Sequence, residues 1–173
     1  MAGIVFHAAI LSSLIVHSSL AAKQSYRKLY LALALAPLIR IVSLSTPLSM
    51  FTQINWYLLT GIPVLIAALM VIRIQDLHPP EIGLTSRNLV FQGLVALTGI
   101  GFGLAEYYIL RPEPLISSIT LGEMIVPCII LLVATGFVEE LAFRGVMQHC
   151  SVEALGSWGW VYVALVYSIL QIE

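Results

Sequence analysis

Six apolar runs of near membrane-crossing length follow one another along this chain, and they limit what it can fold into. A bilayer core about 30 Å thick is crossed by roughly 20 helical residues. The runs cover about Ile4 to Ala22, Leu29 to Met50, Asn55 to Ile72 and Leu89 to Leu110. A fifth starts near Glu123, and a sixth opens on Trp158, Trp160 and Tyr162 and continues from Val163 to Gln171. Composition agrees. Charged residues make up 10% and hydrophobic residues 60%, whereas typical soluble domains carry about 25% charged residues. The expected fold is all-α: a polytopic transmembrane helix bundle of about six helices, in contact with membrane lipid. A net charge of -1 offers no basic field for nucleic acid, and that class of partner is dropped.

The runs divide into residues 1–72, a three-helix membrane region; 73–88, a polar loop; and 89–173, a second membrane region. A cleavable signal peptide competes for the first run, because Ser19 and Ala21 are small. The positive charge (Lys23, Arg27, Lys28) follows the apolar run instead of preceding it, so a retained helix is favoured. His7 and His17 read as satisfied or interfacial side chains. The second run holds Pro37, Pro47 and, near its middle, Arg40, which must face a cavity or a partner such as Glu106. Paired prolines, Pro79 and Pro80, forbid a continuous helix through the loop. Gly99 and Gly103 make a small-xxx-small pair suited to close helix packing. A turn is expected over Gly145 to Gly159. Two cysteines give no disulfide framework: Cys128 reads as a core residue and Cys150 as a free thiol in a polar turn.

With the amino terminus outside, Lys23, Arg27, Lys28, Arg73, Arg87 and Arg144 fall on the cytoplasmic side, and only Arg111 falls outside. That asymmetry fits the positive-inside rule. The expected setting is an integral protein of a bacterial cell membrane.

Within the fifth run, Glu139, Glu140 and Arg144 interrupt the apolar pattern. A charge at membrane depth costs roughly 2.5–3.5 kcal/mol on insertion scales, so it is normally there for a reason. Arg144 stands at i+4 from Glu140, a spacing at which acid and base pair. Glu139 is turned about 100° away on an ideal helix and lacks that partner. One carboxylate is neutralised, and its neighbour is left to act as a general base. The bland alternative is a buried Glu–Arg pair that pins the helix to its neighbours, but this leaves the adjacent glutamate unexplained.

Glu139-Glu140-Leu-Ala-Phe-Arg144-Gly145 resembles the EExxxRG signature of the CPBP intramembrane proteases, which include the type II CAAX prenyl endopeptidases and bacteriocin-processing proteins. Glu81-Ile-Gly-Leu84, ahead of a glycine-rich helix, looks like the start of that family's core. Where the family's second motif, FxxxH, belongs, this chain has Tyr167-Ser-Ile-Leu-Gln171, with tyrosine for phenylalanine and glutamine for histidine. The third motif, HxxxN or HxxxD, has no counterpart before Glu173. The resemblance covers roughly residues 81–173, about half of the family's catalytic core. It implies a truncated or degenerate member with incomplete activity.

By resemblance, Glu139 activates a water for peptide hydrolysis with help from position 171, and Glu140 and Arg144 are structural or position the substrate. The implied substrate is a membrane-associated or lipidated peptide, cleaved near its carboxyl end. No cofactor or metal is called for, and HExxH is missing. Glutamine can donate a hydrogen bond but cannot move a proton near neutral pH. Depth is consistent. Glu139 and Gln171 each lie eleven residues from the inner ends of their helices, if these fall at Cys150 and Trp160, or about 16 Å. Two other readings remain: a non-catalytic membrane scaffold, and a small transporter relaying charge through Arg40, Glu106 and Glu139.

Overall fold

The computed structural model describes residues 2–47, 50–112, 114–116, 118 and 120–171. Among them there are six helices and no strand: α1 (Ala2–Leu20), α2 (Gln24–Ser45), α3 (Gln53–Ile74), α4 (Leu89–Leu110), α5 (Leu121–Leu155) and α6 (Trp158–Leu170). The first five are long and apolar enough to cross a membrane, as in an integral membrane protein; α6, at 13 residues, is apolar but shorter.

Proline shapes α2. It consists of two helical pieces, Gln24–Leu33 and Leu35–Ser45, that meet at Ala34. Pro37 has no N–H to give the Leu33 carbonyl, and its ring crowds that carbonyl, so the ladder is interrupted one turn ahead of the proline. The hydrogen bonds from Ala34 N–H to Tyr30 O (3.1 Å) and from Leu38 N–H to Ala34 O (3.3 Å) carry the chain across the break.

The core forms where α2, α3, the second half of α5 and α6 meet. Leu29, Leu35, Ala68, Val71, Ala142, Val146, Met147 and Val163 are among its buried residues, joined by Leu77 and Ile82 from the loop after α3. Small residues set the spacing. A Cβ on Gly61 of α3 would collide with the Ala134 carbonyl oxygen of α5, and one on Gly145 would come within 3.0 Å of the Ile82 carbonyl. One on Gly159 would lie 2.5 Å from the Ser151 backbone, so α6 starts hard against the end of α5. The glycine of the EExxxRG stretch therefore has a packing reason of its own.

Helix α5 departs from the expected geometry in three ways. It runs on to Leu155, and the chain breaks only at Gly156 (φ 63) and Ser157, not over the whole of Gly145 to Gly159. Gly145 and Ser151 are buried helical positions; only Gly156 adopts a φ that glycine tolerates best. Two stretches, Leu131–Phe137 and Glu140–Met147, widen to the i→i+5 spacing of a π-helix, an arrangement found often at functional sites. The cysteines also exchange roles. Cys128 is exposed, and Cys150 is buried in the helix, where its Sγ donates to Gln75 Oε1 at 3.0 Å.

Helix α4 stands apart. All of its residues are exposed, and nothing lies within 4 Å of a Cβ built on Gly99 or Gly103. The close packing expected of that pair has no partner among the described residues. Both flanking residues, Asn88 (φ 58) and Arg111 (φ 45), are left-handed.

At the loop end of the bundle, Lys28 Nζ meets Glu153 Oε2 at 3.3 Å, and Gln75 Nε2 donates to the Lys28 carbonyl at 3.1 Å. These bonds tie α2, α5 and the end of α3 together. In the loop itself, Glu81 Oε2 accepts the His78 backbone N–H at 2.7 Å. That bond, more than the nearby His149 and His78 side chains, holds the Glu81 carboxyl below the usual carboxylate range. A depressed folded pKa stabilises the turn above the unfolded value, and the contribution is lost as pH falls through the folded one. The His78 amide resonance is thus expected to titrate with a midpoint below that of an ordinary glutamate. A midpoint at or above the ordinary value would separate the turn from Glu81.

Candidate functional site

Helix α5 presents Glu139 between its two widened stretches. Val138 and Ala142 beside it are buried, at 3% and 0% exposure, so this part of the helix is held firmly in the core. Glu139 is half-buried while Glu140 is exposed. The expected division of the two carboxylates is present. Arg144 Nη1 donates to Glu140 Oε2 at 3.0 Å. An exposed pair at this spacing contributes about 0.3–0.5 kcal/mol, so it fixes orientation more than it stabilises the fold.

The sequence suggested a Glu139 without a partner, and the structure gives it one. Its Oε2 accepts a hydrogen bond from the Tyr167 hydroxyl of α6 at 3.3 Å. The Tyr167 ring packs edge-on to Phe143, with ring centres 4.9 Å apart and planes at 83°. Phe143, one turn on from Glu139 and buried, thereby holds the phenol in position. The tyrosine at the phenylalanine position of the second-motif pattern is a direct partner of the carboxylate. A polar tip on an otherwise aromatic motif position is the signal that would have revealed it.

Two cavities meet at Glu139. One, of about 250 Å³, is lined by Glu139 and Gln171 together with Arg40 and Ser43 of α2 and Thr60 of α3, between apolar walls. The other, of about 220 Å³, lies on the Glu140 side, with Arg144, Gln148, Trp160 and Tyr167 around it. Gln171 and Glu139 thus reach one cavity, although α5 runs on past Cys150 and α6 starts at Trp158, so the helix ends assumed for their matched depths are not the observed ones. All four site residues read from the sequence line one or the other space.

Arg40 comes to the site from a part of the chain that carries no motif. It faces this cavity and not Glu106, which sits on the exposed helix α4 and lines none of Arg40's surroundings. A charge relay from Arg40 through Glu106 to Glu139 therefore has no path among the described residues. Ser43 and Thr60 were not singled out in the sequence. Thr60 donates to the Trp56 carbonyl at 2.8 Å, a bond any helical threonine can make. Among the described residues no group of three or more histidine, cysteine, aspartate or glutamate side chains is placed to hold a metal ion.

Chemically, the arrangement is a half-buried carboxylate with space for water, a phenol on one of its oxygens, an amide donor and a guanidinium along the same wall. Comparison with protein-family models, curated proteins and solved structures finds no match to this chain.

Proposed function

We propose that the chain is an intramembrane endopeptidase of the CPBP kind, in which Glu139 activates a water to hydrolyse a peptide bond. The observation that carries this reading is the division of labour between adjacent glutamates. Glu140 is tied to Arg144, while Glu139 borders a cavity shared with Gln171 and Arg40. Tyr167 occupies Glu139 Oε2, which leaves Oε1 for the water. The water's oxygen adds to the scissile carbonyl carbon as its proton passes to Glu139. The carbon–nitrogen bond then breaks, and Glu139 returns the proton to the departing amine. Gln171 orients the water through its amide but does not carry a proton. The substrate is a membrane-associated or lipidated peptide, and the site faces the cytoplasmic side of a bacterial cell membrane, as the basic residues suggest.

The test is cleavage of a library of membrane-anchored peptides in proteoliposomes, by this chain and by Glu139→Gln. The amide keeps the shape and removes the base, so the rate should fall by about 10²-fold or more. A well-folded protein that cleaves nothing, or one whose cleavage is unchanged by Glu139→Gln, would turn the reading to a non-catalytic membrane scaffold with the glutamates retained for packing.

A further inference from the structure

We infer that the cavity between the loop ends of α1, α2 and α3 is a lipid site, where Arg27 and Lys28 bind the phosphate of an anionic phospholipid headgroup. The inference does not depend on the chemistry at Glu139. Three helices long enough to cross a membrane have their ends here: α1 stops at Leu20, α2 starts at Gln24 and α3 stops at Ile74. The ends of spanning helices lie at headgroup level, because the apolar stretch between them fills the hydrocarbon core. Among them is a space of about 240 Å³, with Ser18 of α1, Arg27, Lys28 and Leu31 of α2, and Ile74 and Gln75 on its wall.

The two cations are held through their own backbones, each from a different side. Ser18 Oγ donates to the Arg27 carbonyl at 2.9 Å, and Gln75 Nε2 donates to the Lys28 carbonyl at 3.1 Å. Lys28 Nζ meets Glu153 Oε2 at 3.3 Å, so part of its charge is answered. The Arg27 side chain has no ion pair among the described residues. Of the neighbouring acids, Glu153 serves Lys28, and neither it nor Asp76 lines the cavity. Lys23 stands beside Gln24, its Nζ 5.4 Å from the centre of the Tyr26 ring, and Arg73 precedes Ile74. Positive charge therefore collects where the three helices end, and the bridge to Glu153 does not cancel it.

The wall also defines the ligand. A guanidinium presents a fixed fork of donors that matches phosphate oxygens with two parallel hydrogen bonds. Basic pockets between membrane helices bind lipid headgroups in this way. Leu31 and Ile74 add an apolar side, and Ile74 is 67% exposed, so an acyl chain can pass along it into the bilayer. A free phosphate has no use for that side. A zwitterionic headgroup brings a positive charge that no carboxylate on this wall receives. The volume is below the roughly 300–1,000 Å³ of pockets that enclose a whole ligand, and it suits a headgroup whose chains stay outside.

The test is native mass spectrometry of the full chain in neutral-detergent micelles, titrated with phosphatidylglycerol or with phosphatidylcholine of the same acyl chains. Phosphatidylglycerol should bind about tenfold or more tightly, and added salt should weaken it selectively. Arg27→Gln should weaken phosphatidylglycerol by about fivefold, the effect of one cation near a membrane surface, and leave phosphatidylcholine unchanged. Arg27→Lys should keep part of the preference. Arg87→Gln removes a cation that does not line the cavity, and should change nothing. Equal binding of the two lipids by the parent, or an equal loss in Arg27→Gln and Arg87→Gln, would overturn the inference. Displacement of phosphatidylglycerol by an equal concentration of inorganic phosphate would also overturn it, and would assign the cavity to a soluble anion.

Discussion

Gly61→Val is expected to destabilise the bundle by about 3 kcal/mol or more, at or beyond the upper end of ordinary overpacking. The first atom of the new side chain would meet the Ala134 carbonyl oxygen, Cβ and carbonyl carbon. A flexible side chain could swing aside; a backbone carbonyl inside the 35-residue helix α5 cannot move without moving the helix. Gly61 and Ala134 also line the cavity beside Glu139, so separating α3 from α5 widens the site. Thermal unfolding in detergent should therefore show a large fall in melting temperature, accompanied by loss of any Glu139-dependent activity. Gly99→Ala provides the contrast. Nothing surrounds Gly99, and alanine is the better helix former by about 0.8–1.0 kcal/mol, so this change should be neutral or mildly stabilising. If Gly61→Val melted alongside the parent, the close approach of α3 and α5 would be wrong.

The contrast between Gly61 and Gly99 marks what a membrane sequence can convey. Run lengths signalled all six helices, because crossing a bilayer demands a continuous apolar stretch; Gly156 ends α5, whereas α3 already stops at Ile74, ahead of Pro79-Pro80. Azimuth is different. In a soluble chain, an apolar neighbourhood points to the core, but lipid tails are as apolar as leucine. Cys128, among valine and isoleucine, is therefore exposed, while Cys150, next to His149 and Ser151, is fully buried. Gly99 and Gly103 had the better packing signature and have no neighbour, whereas Gly61, unremarked in its run, has the tightest contact.

The site divides along the same line. The Glu140–Arg144 pair is local, one turn long, and was legible from spacing alone. Glu139 and Gln171 do line one cavity, but the expected depths agreed only by assuming helix ends at Cys150 and Trp160, and the observed ends are Leu155 and Trp158. The Tyr167 hydrogen bond and the arrival of Arg40 depend on how α6 and α2 are rotated against α5, which no periodicity in those helices reports. Arg40 could be recognised as needing a cavity because of its cost in lipid, but which partner it met could not. The widened turns on either side of Glu139 also lack a sequence signal. They shift the facing of every side chain after them relative to an ideal 3.6-residue helix.

On the proposed peptidase reading, Gln171→His is expected to raise the rate of peptide hydrolysis by about 10²-fold or more, the usual contribution of one well-placed acid–base group. Residue 171 follows the last turn of α6 and lines the Glu139 cavity, so a side chain there already addresses the reacting space. Glutamine can hold a water through its amide, but its protons do not come off and none is taken up near neutral pH. Imidazole is of similar size, and its pKa of about 6.5 lets it accept the proton of the attacking water or return one to the amine. The gain should appear in kcat with KM little changed, since the substrate's own contacts are untouched. The pH–rate profile should also acquire an inflection near the histidine pKa that the parent lacks. In a Glu139→Gln background the same substitution should bring no gain, because groups that act as a unit are not additive. A Gln171→His protein that folds, retains Glu139-dependent cleavage and shows neither the faster rate nor the new inflection would mean that position 171 only orients water. The proton would then travel through Glu139 alone, with Tyr167 fixing the oxygen that does not carry it.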